Sequence, residues 1–151
     1  MTTETEQNDA ALRTAPLRLL AAEDNAVHQL VLKTLLHHVG LDLTVVENGK
    51  MAVDAWRAGD FDLILMDLGM PEMDGAAATR AIRDLELQTG RARTSIIAVT
   101  AELIAQRFAD YRNVGIDAHV AKPIAAASLY QAIEAALSEV IVDDVPLAEV
   151  G

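Results

Sequence analysis

The sequence predicts an α/β domain: a five-stranded parallel sheet in the order 2-1-3-4-5, with helices on both faces. Three observations predict it. Five short apolar runs alternate with five longer segments of helical period. Glycines stand just past four of the helical segments, where a helix needs a stop. Finally, 52% of the 151 residues are hydrophobic but only 3% are aromatic, so one domain of this length can bury a sizeable aliphatic core.

The elements follow in order. LRLLAA (17–22) is apolar and too short for a helix, which suits a buried strand. Residues 26–39 have a helical pattern, with Asp24 or Asn25 as N-cap and Gly40 as stop. LDLTVV (41–46) alternates as a strand does, and 49–58 form a helix closed by Gly59. FDLILM (61–66) is the third strand and 76–88 the third helix, with Gly90 after it. SIIAV (95–99) is β-branched and buried in type. A helix over 102–113 stops near Gly115, DAHVA (117–121) is a short strand, and 125–138 is an Ala-rich helix. Residues 1–15 read as a flexible leader, 16–138 as the domain and 139–151 as a C-terminal tail. Trp56 is expected to be half-buried, Met66, Met70 and Met73 to fill core and loops, and His28, His37 and His38 to be surface or packing residues. On the 26–39 helix, Val27, Leu30, Val31, Leu32, Leu35, Leu36 and Val39 spread over roughly two-thirds of the wheel. One core-facing stripe needs only about 100°. Part of this surface should therefore stay exposed beside Asp24 and serve for docking.

Charge and composition exclude several classes. Twelve Lys and Arg against 23 Asp and Glu give a net charge of −11, which argues against phosphate-backbone binding and against basic docking on anionic membrane. There is no cysteine, so disulfides, thiolate metal sites and cysteine nucleophiles are excluded. No stretch approaches the ~18–20 apolar residues of a membrane span. The start, MTTETEQNDA, lacks the basic and apolar regions of a secretory signal, so a cytoplasmic domain without membrane insertion is expected.

In this topology ligands bind beyond the carboxyl ends of the strands, at the switch between strands 1 and 3. Strand 1 stops at Glu23-Asp24, strand 3 at Asp67, strand 4 at Thr100, and strand 5 runs into Lys122-Pro123. Three carboxylates gathered there repel one another, and a divalent cation relieves the repulsion. Few carboxylates and open positions suit Mg²⁺. Asp24 and Asp67 are the natural ligands, Glu23 reaches through a water, and a backbone carbonyl of the 68–70 loop completes the set. Asp67 is also the best nucleophile, able to form an aspartyl phosphate. Lys122 would supply a mobile charge and Thr100 a hydrogen bond to the phosphoryl group. Pro123 constrains the peptide that aims the ammonium.

These residues also carry a family resemblance. AAEDNAVHQ (21–29), LILMDLGMPEMDG (63–75), IIAVTA (96–101) and AHVAKPI (118–124) resemble the receiver domain of two-component response regulators. AEDN, DLGMPEMDG and VAKPI look most like the C-terminal receivers of hybrid sensor histidine kinases. The resemblance covers about residues 17–138 and implies the flavodoxin-like, receiver-type fold. It implies that Asp67 accepts a phosphoryl group from a phosphohistidine on a histidine kinase or histidine phosphotransfer protein that docks near the 26–39 helix. It implies Mg²⁺ on Glu23, Asp24, Asp67 and the Gly69 carbonyl, with Lys122 on the phosphoryl group and Thr100 as the reporter. The chain departs from the family at His119, where an aromatic residue usually stands three positions before the Lys; an imidazole there could still move with Thr100. Gly69 offers no side chain to steer a water, and Glu102 could hold or exclude one.

Two other functions compete. A metal-dependent phosphohydrolase working through an aspartyl phosphate needs a second acid two residues after the nucleophile, where this chain has Gly69. A flavodoxin-like nucleotide module needs a Ser/Thr/Gly-rich loop after strand 1, where Glu23-Asp24 would repel phosphate. The expected product is therefore a signalling receiver rather than an enzyme, which changes its 101–135 surface on phosphorylation.

Overall fold

The computed structural model describes residues 17–70, 73–101 and 108–141. The strands are β1 (Arg18–Ala22), β2 (Asp42–Val46), β3 (Leu63–Asp67), β4 (Ser95–Ala101) and β5 (Ala118–Lys122). The helices are α1 (Ala26–His38), α2 (Gly49–Ala58), α3 (Gly75–Thr89), α4 (Phe108–Asn113) and α5 (Ala126–Ile141). The sheet runs β2-β1-β3-β4-β5 with every pairing parallel, as the alternation of elements requires. The expected leader, the first half of the 102–113 helix with Glu102, and most of the expected tail lie outside the described residues.

Strand pleating sorts the core into two layers. Leu20, Ala22, Ile64, Met66, Ile96 and Ala98 point to one face and meet Trp56 of α2 and Ala78 and Ile82 of α3. Leu19, Ala21, Leu63, Leu65, Ile97 and Val99 point to the other face and meet Leu32 and Leu36 of α1 and Leu129 and Ile133 of α5. β3 is buried along its whole length, whereas the edge strands β2 and β5 are only partly covered.

Local signals fix the helix ends. Asn25, rather than Asp24, caps α1, its side chain accepting from the amides of Val27 (2.9 Å) and His28 (3.0 Å). Asp74 caps α3 through the Ala77 amide, and Gly90 ends it in the left-handed region at φ 74°. Gly75 is required for a different reason: a Cβ there would collide with the Asp67 carbonyl oxygen. The start of α3 thus packs directly under the end of β3.

Trp56 corrects an expectation. It is 1% exposed rather than half-buried, because its indole N–H donates to Thr94 Oγ1 (3.1 Å) and the Arg91 guanidinium covers its ring at 3.8 Å. The sheet end away from the strand carboxyl termini is tied by Arg83. This side chain is 11% exposed and bonds Glu86, the Thr94 and Gly115 carbonyls, and Asp117. It joins α3 to the starts of β4 and β5.

Candidate functional site

The carboxyl ends of β1, β3, β4 and β5 converge on an open cleft of ≈ 350 Å³ lined by Asp24, Asn25, His28, Asp67, Gly69, Thr100, Ala101 and Lys122. The parallel order does this: β1 and β3 are neighbours, so the residues that follow their last buried positions face one crevice. Glu23, Asp24 and Asp67 each offer an oxygen within 4.8 Å of the others. Glu23 and Asp67 are buried, whereas Asp24 is exposed at the mouth.

Lys122 enters from β5. Its Nζ lies 3.0 Å from Glu23 Oε1, 3.3 Å from Asp67 Oδ2 and 3.2 Å from His28 Nδ1. The peptide that follows it, Lys122-Pro123, is cis. Asp67 Oδ1 accepts the Gly69 amide at 3.0 Å, which fixes the carboxylate plane. The other Glu23 oxygen, Oε2, accepts the Asn25 amide at 3.1 Å. Thr100 is buried at the end of β4 and lines the cleft, its hydroxyl 3.4 Å from the Ala101 carbonyl.

Burial pushes the Glu23 carboxyl above the usual carboxylate range, and the charge of Asp67 adds to the rise. The Lys122 ammonium and the Asn25 amide pull it back, but burial wins. Glu23 Oε1 is also a buried oxygen without a hydrogen bond; Lys122 reaches it as an ion contact, off the direction a hydrogen bond needs. A small, hard cation suits such a donor set. All three acids offer oxygens, one lone pair is unclaimed, and the exposed side at Asp24 leaves positions open for water and a phosphate oxygen.

The sequence profile of the family described as "Response regulator receiver domain" matches residues 19–134. The chain belongs to the response regulator receiver domain family. Three comparisons fill in the likeness. The receiver is 38% identical over 116 residues to the sensor protein GacS of Pseudomonas syringae pv. syringae; the match covers 77% of this chain but 13% of that protein. It resembles the receiver domain of the sensor histidine kinase PA1611 of Pseudomonas aeruginosa, solved with a magnesium ion coordinated in its active-site cleft, at 31% identity and a TM-score of 0.72, covering 82% of this chain and 99% of that one. It also resembles a chain of the Saccharomyces cerevisiae co-crystal of the histidine phosphotransfer protein Ypd1 with the receiver domain of the response regulator Ssk1, at 28% identity and a TM-score of 0.77, covering 82% of this chain and 90% of that one.

The structure thus gathers Glu23, Asp24, Asp67, Gly69, Thr100 and Lys122 at one rim. His119 is exposed on β5 and does not line the cleft. One residue of the cleft was not picked out from the sequence. His28, read as surface or packing, lies against Lys122 and 3.6 Å from Glu23 Oε2. The signal lay in the cap: with Asn25 as N-cap, His28 is the third helical residue, and side chains there point back toward the helix start. No helix among the described residues is long and apolar enough to cross a membrane.

Proposed function

We propose that this receiver accepts a phosphoryl group on Asp67 from a phosphohistidine of a histidine kinase or histidine phosphotransfer protein. The observation that carries the reading is a buried aspartate at the end of the central strand, beside two more acids and 3.3 Å from an ammonium. In the step, an Asp67 carboxylate oxygen forms the new P–O bond. The P–N bond to the donor imidazole breaks, and its electron pair stays on that nitrogen. Such transfer needs positioning and charge neutralisation more than covalent work by the protein.

Each residue has a role. Lys122 contributes positive charge toward the phosphoryl oxygens, and the Thr100 hydroxyl donates to one of them. Glu23, Asp24 and Asp67, with the Gly69 carbonyl, would hold Mg²⁺. When bound, Mg²⁺ supplies further neutralisation of phosphoryl charge. The added group brings roughly −1.5 to −2 charge, which draws Thr100 and Lys122 inward and shifts the 101–135 surface, with His119 moving on β5. The donor docks beside the cleft on α1, where Val27 is 68% and Leu30 63% exposed next to Asp24. Leu32 and Leu36 are buried on the same helix, so its apolar surface exceeds what its core contacts use. The donor would meet the receiver in the cytoplasm.

The phosphohydrolase reading is weaker. Gly69, exposed two residues after Asp67, stands where a second acid would have to protonate a leaving group. Incubation with acetyl phosphate and Mg²⁺, followed by intact mass, tests the choice. One phosphoryl adduct per chain is expected, with almost no turnover of small phosphate esters. Sustained ester turnover would overturn the receiver reading. The metal assignment has its own check: Asp24→Ala should weaken Mg²⁺ binding by at least about tenfold in calorimetry. Unchanged affinity would move the cation elsewhere.

A further inference from the structure

Phosphoryl transfer to Asp67 gives His28 no task, yet its side chain lines the cleft. Its Nδ1 stands 3.2 Å from Lys122 Nζ. An ammonium can only donate, so a hydrogen bond here requires Nδ1 to accept and the ring proton to sit on Nε2. Three groups therefore surround the Lys122 ammonium: Glu23, Asp67 and His28. They are not equivalent. The two carboxylates are the oxygens that a bound cation would share, so cation and ammonium compete for them. The imidazole is not one of the cluster's oxygen donors; its Nδ1 stands nearer to the ammonium, at 3.2 Å, than to Glu23 Oε2, at 3.6 Å, so a cation that takes the carboxylates leaves this contact in place. The Lys122 stem comes from an edge strand and carries four rotatable bonds, so without this acceptor the ammonium has many places to go.

We propose that His28 is a positioning residue that holds the Lys122 ammonium beside Asp67 when the carboxylates are engaged by a cation. The inference rests on the reading of Asp67 as phosphoacceptor. It assigns His28 no contact with the phosphoryl group; its action passes through Lys122.

Two measurements test it. The first is independent of phosphorylation: nitrogen-detected NMR of the His28 ring. Wild type should show an unprotonated Nδ1 and a protonated Nε2, and Lys122→Met, which keeps the stem and removes the ammonium, should lose that preference. A ring protonated on Nδ1, or one indifferent to Lys122→Met, would sink the proposal. The second is the rate of labelling by acetyl phosphate at saturating Mg²⁺. His28→Leu should slow it about tenfold, the size expected for one lost charge-assisted hydrogen bond, while Mg²⁺ affinity stays within about twofold. His28→Asn sets a carbonyl oxygen the same number of bonds from Cα as Nδ1, and it should restore the rate to within about threefold. Wild-type speed in His28→Leu, or equal slowing in both variants, would overturn the role. The side chain is 38% exposed in the first turn of α1, so neither change threatens the fold. If wild type takes up no phosphoryl group, the phosphoacceptor reading fails, and the ring spectrum still decides whether His28 holds Lys122.

Discussion

Asp67→Asn should abolish phosphoryl uptake. The amide has almost the same shape, so the contact with the Gly69 amide at 3.0 Å can persist through its carbonyl oxygen. What disappears is the negative charge that makes a carboxylate oxygen a nucleophile toward phosphorus. It also removes one of three acids that crowd within 4.8 Å, so the fold should tolerate the change. The check is intact mass after acetyl phosphate and Mg²⁺, with hydroxylamine added to a second aliquot. Wild type should carry one adduct that hydroxylamine discharges, as an acyl phosphate requires, and Asp67→Asn should carry none. Equal labelling of both proteins would mean that the acceptor is another residue, and the reading of the cleft would fall with it.

The second large effect lies at the other end of the sheet. Arg83→Met should destabilise the protein by about 3 kcal/mol or more, because it strips partners from a buried carboxylate. Glu86 is 7% exposed and receives Arg83 Nη1 at 2.9 and 3.1 Å. The Gly115 carbonyl would also lose donors at 2.8 and 3.1 Å. Four contacts survive and hold the loss to the low end: the Thr94 amide on Glu86 at 2.7 Å, Arg93 on Asp117 at 2.7 Å and on the Gly115 carbonyl at 3.3 Å, and the Ile96 amide on Asp117 at 2.9 Å. In urea this corresponds to a midpoint lowered by about 1–3 M. The double variant Arg83→Met with Glu86→Met should recover much of it, since the stranded charge is gone. A double variant no better than the single would show that Arg83 matters through packing, not charge. The phosphoacceptor cleft is at the opposite rim, so the folded protein should still label.

Two kinds of residue differ in how far local sequence reports their place. Glu23, Asp67, Thr100 and Lys122 were legible because each follows the last apolar position of a strand, and parallel order alone brings such positions together. β1 and β3 were legible because they are buried on both faces and read as unbroken apolar runs. Trp56 was misjudged because its partner Thr94 lies 38 residues away, and no local pattern reports that pairing. Arg83 drew no notice for the same reason: a helical Arg reads as solvated until Thr94, Gly115 and Asp117 arrive from β4 and β5. His28 could be placed only with the cap, and both Asp24 and Asn25 were open for that position.

The placement of Asp67 on the fully covered middle strand, with Lys122 on a half-covered outer one, grades compliance across the protein. Residues clamped between two packed layers open only at a cost near that of global unfolding, whereas a margin with one free flank yields at far smaller cost. Under the proposed transfer, charge deposited at the middle would leave its own support in place and spend its force on the periphery, so the surface that deforms would be the one another molecule can touch.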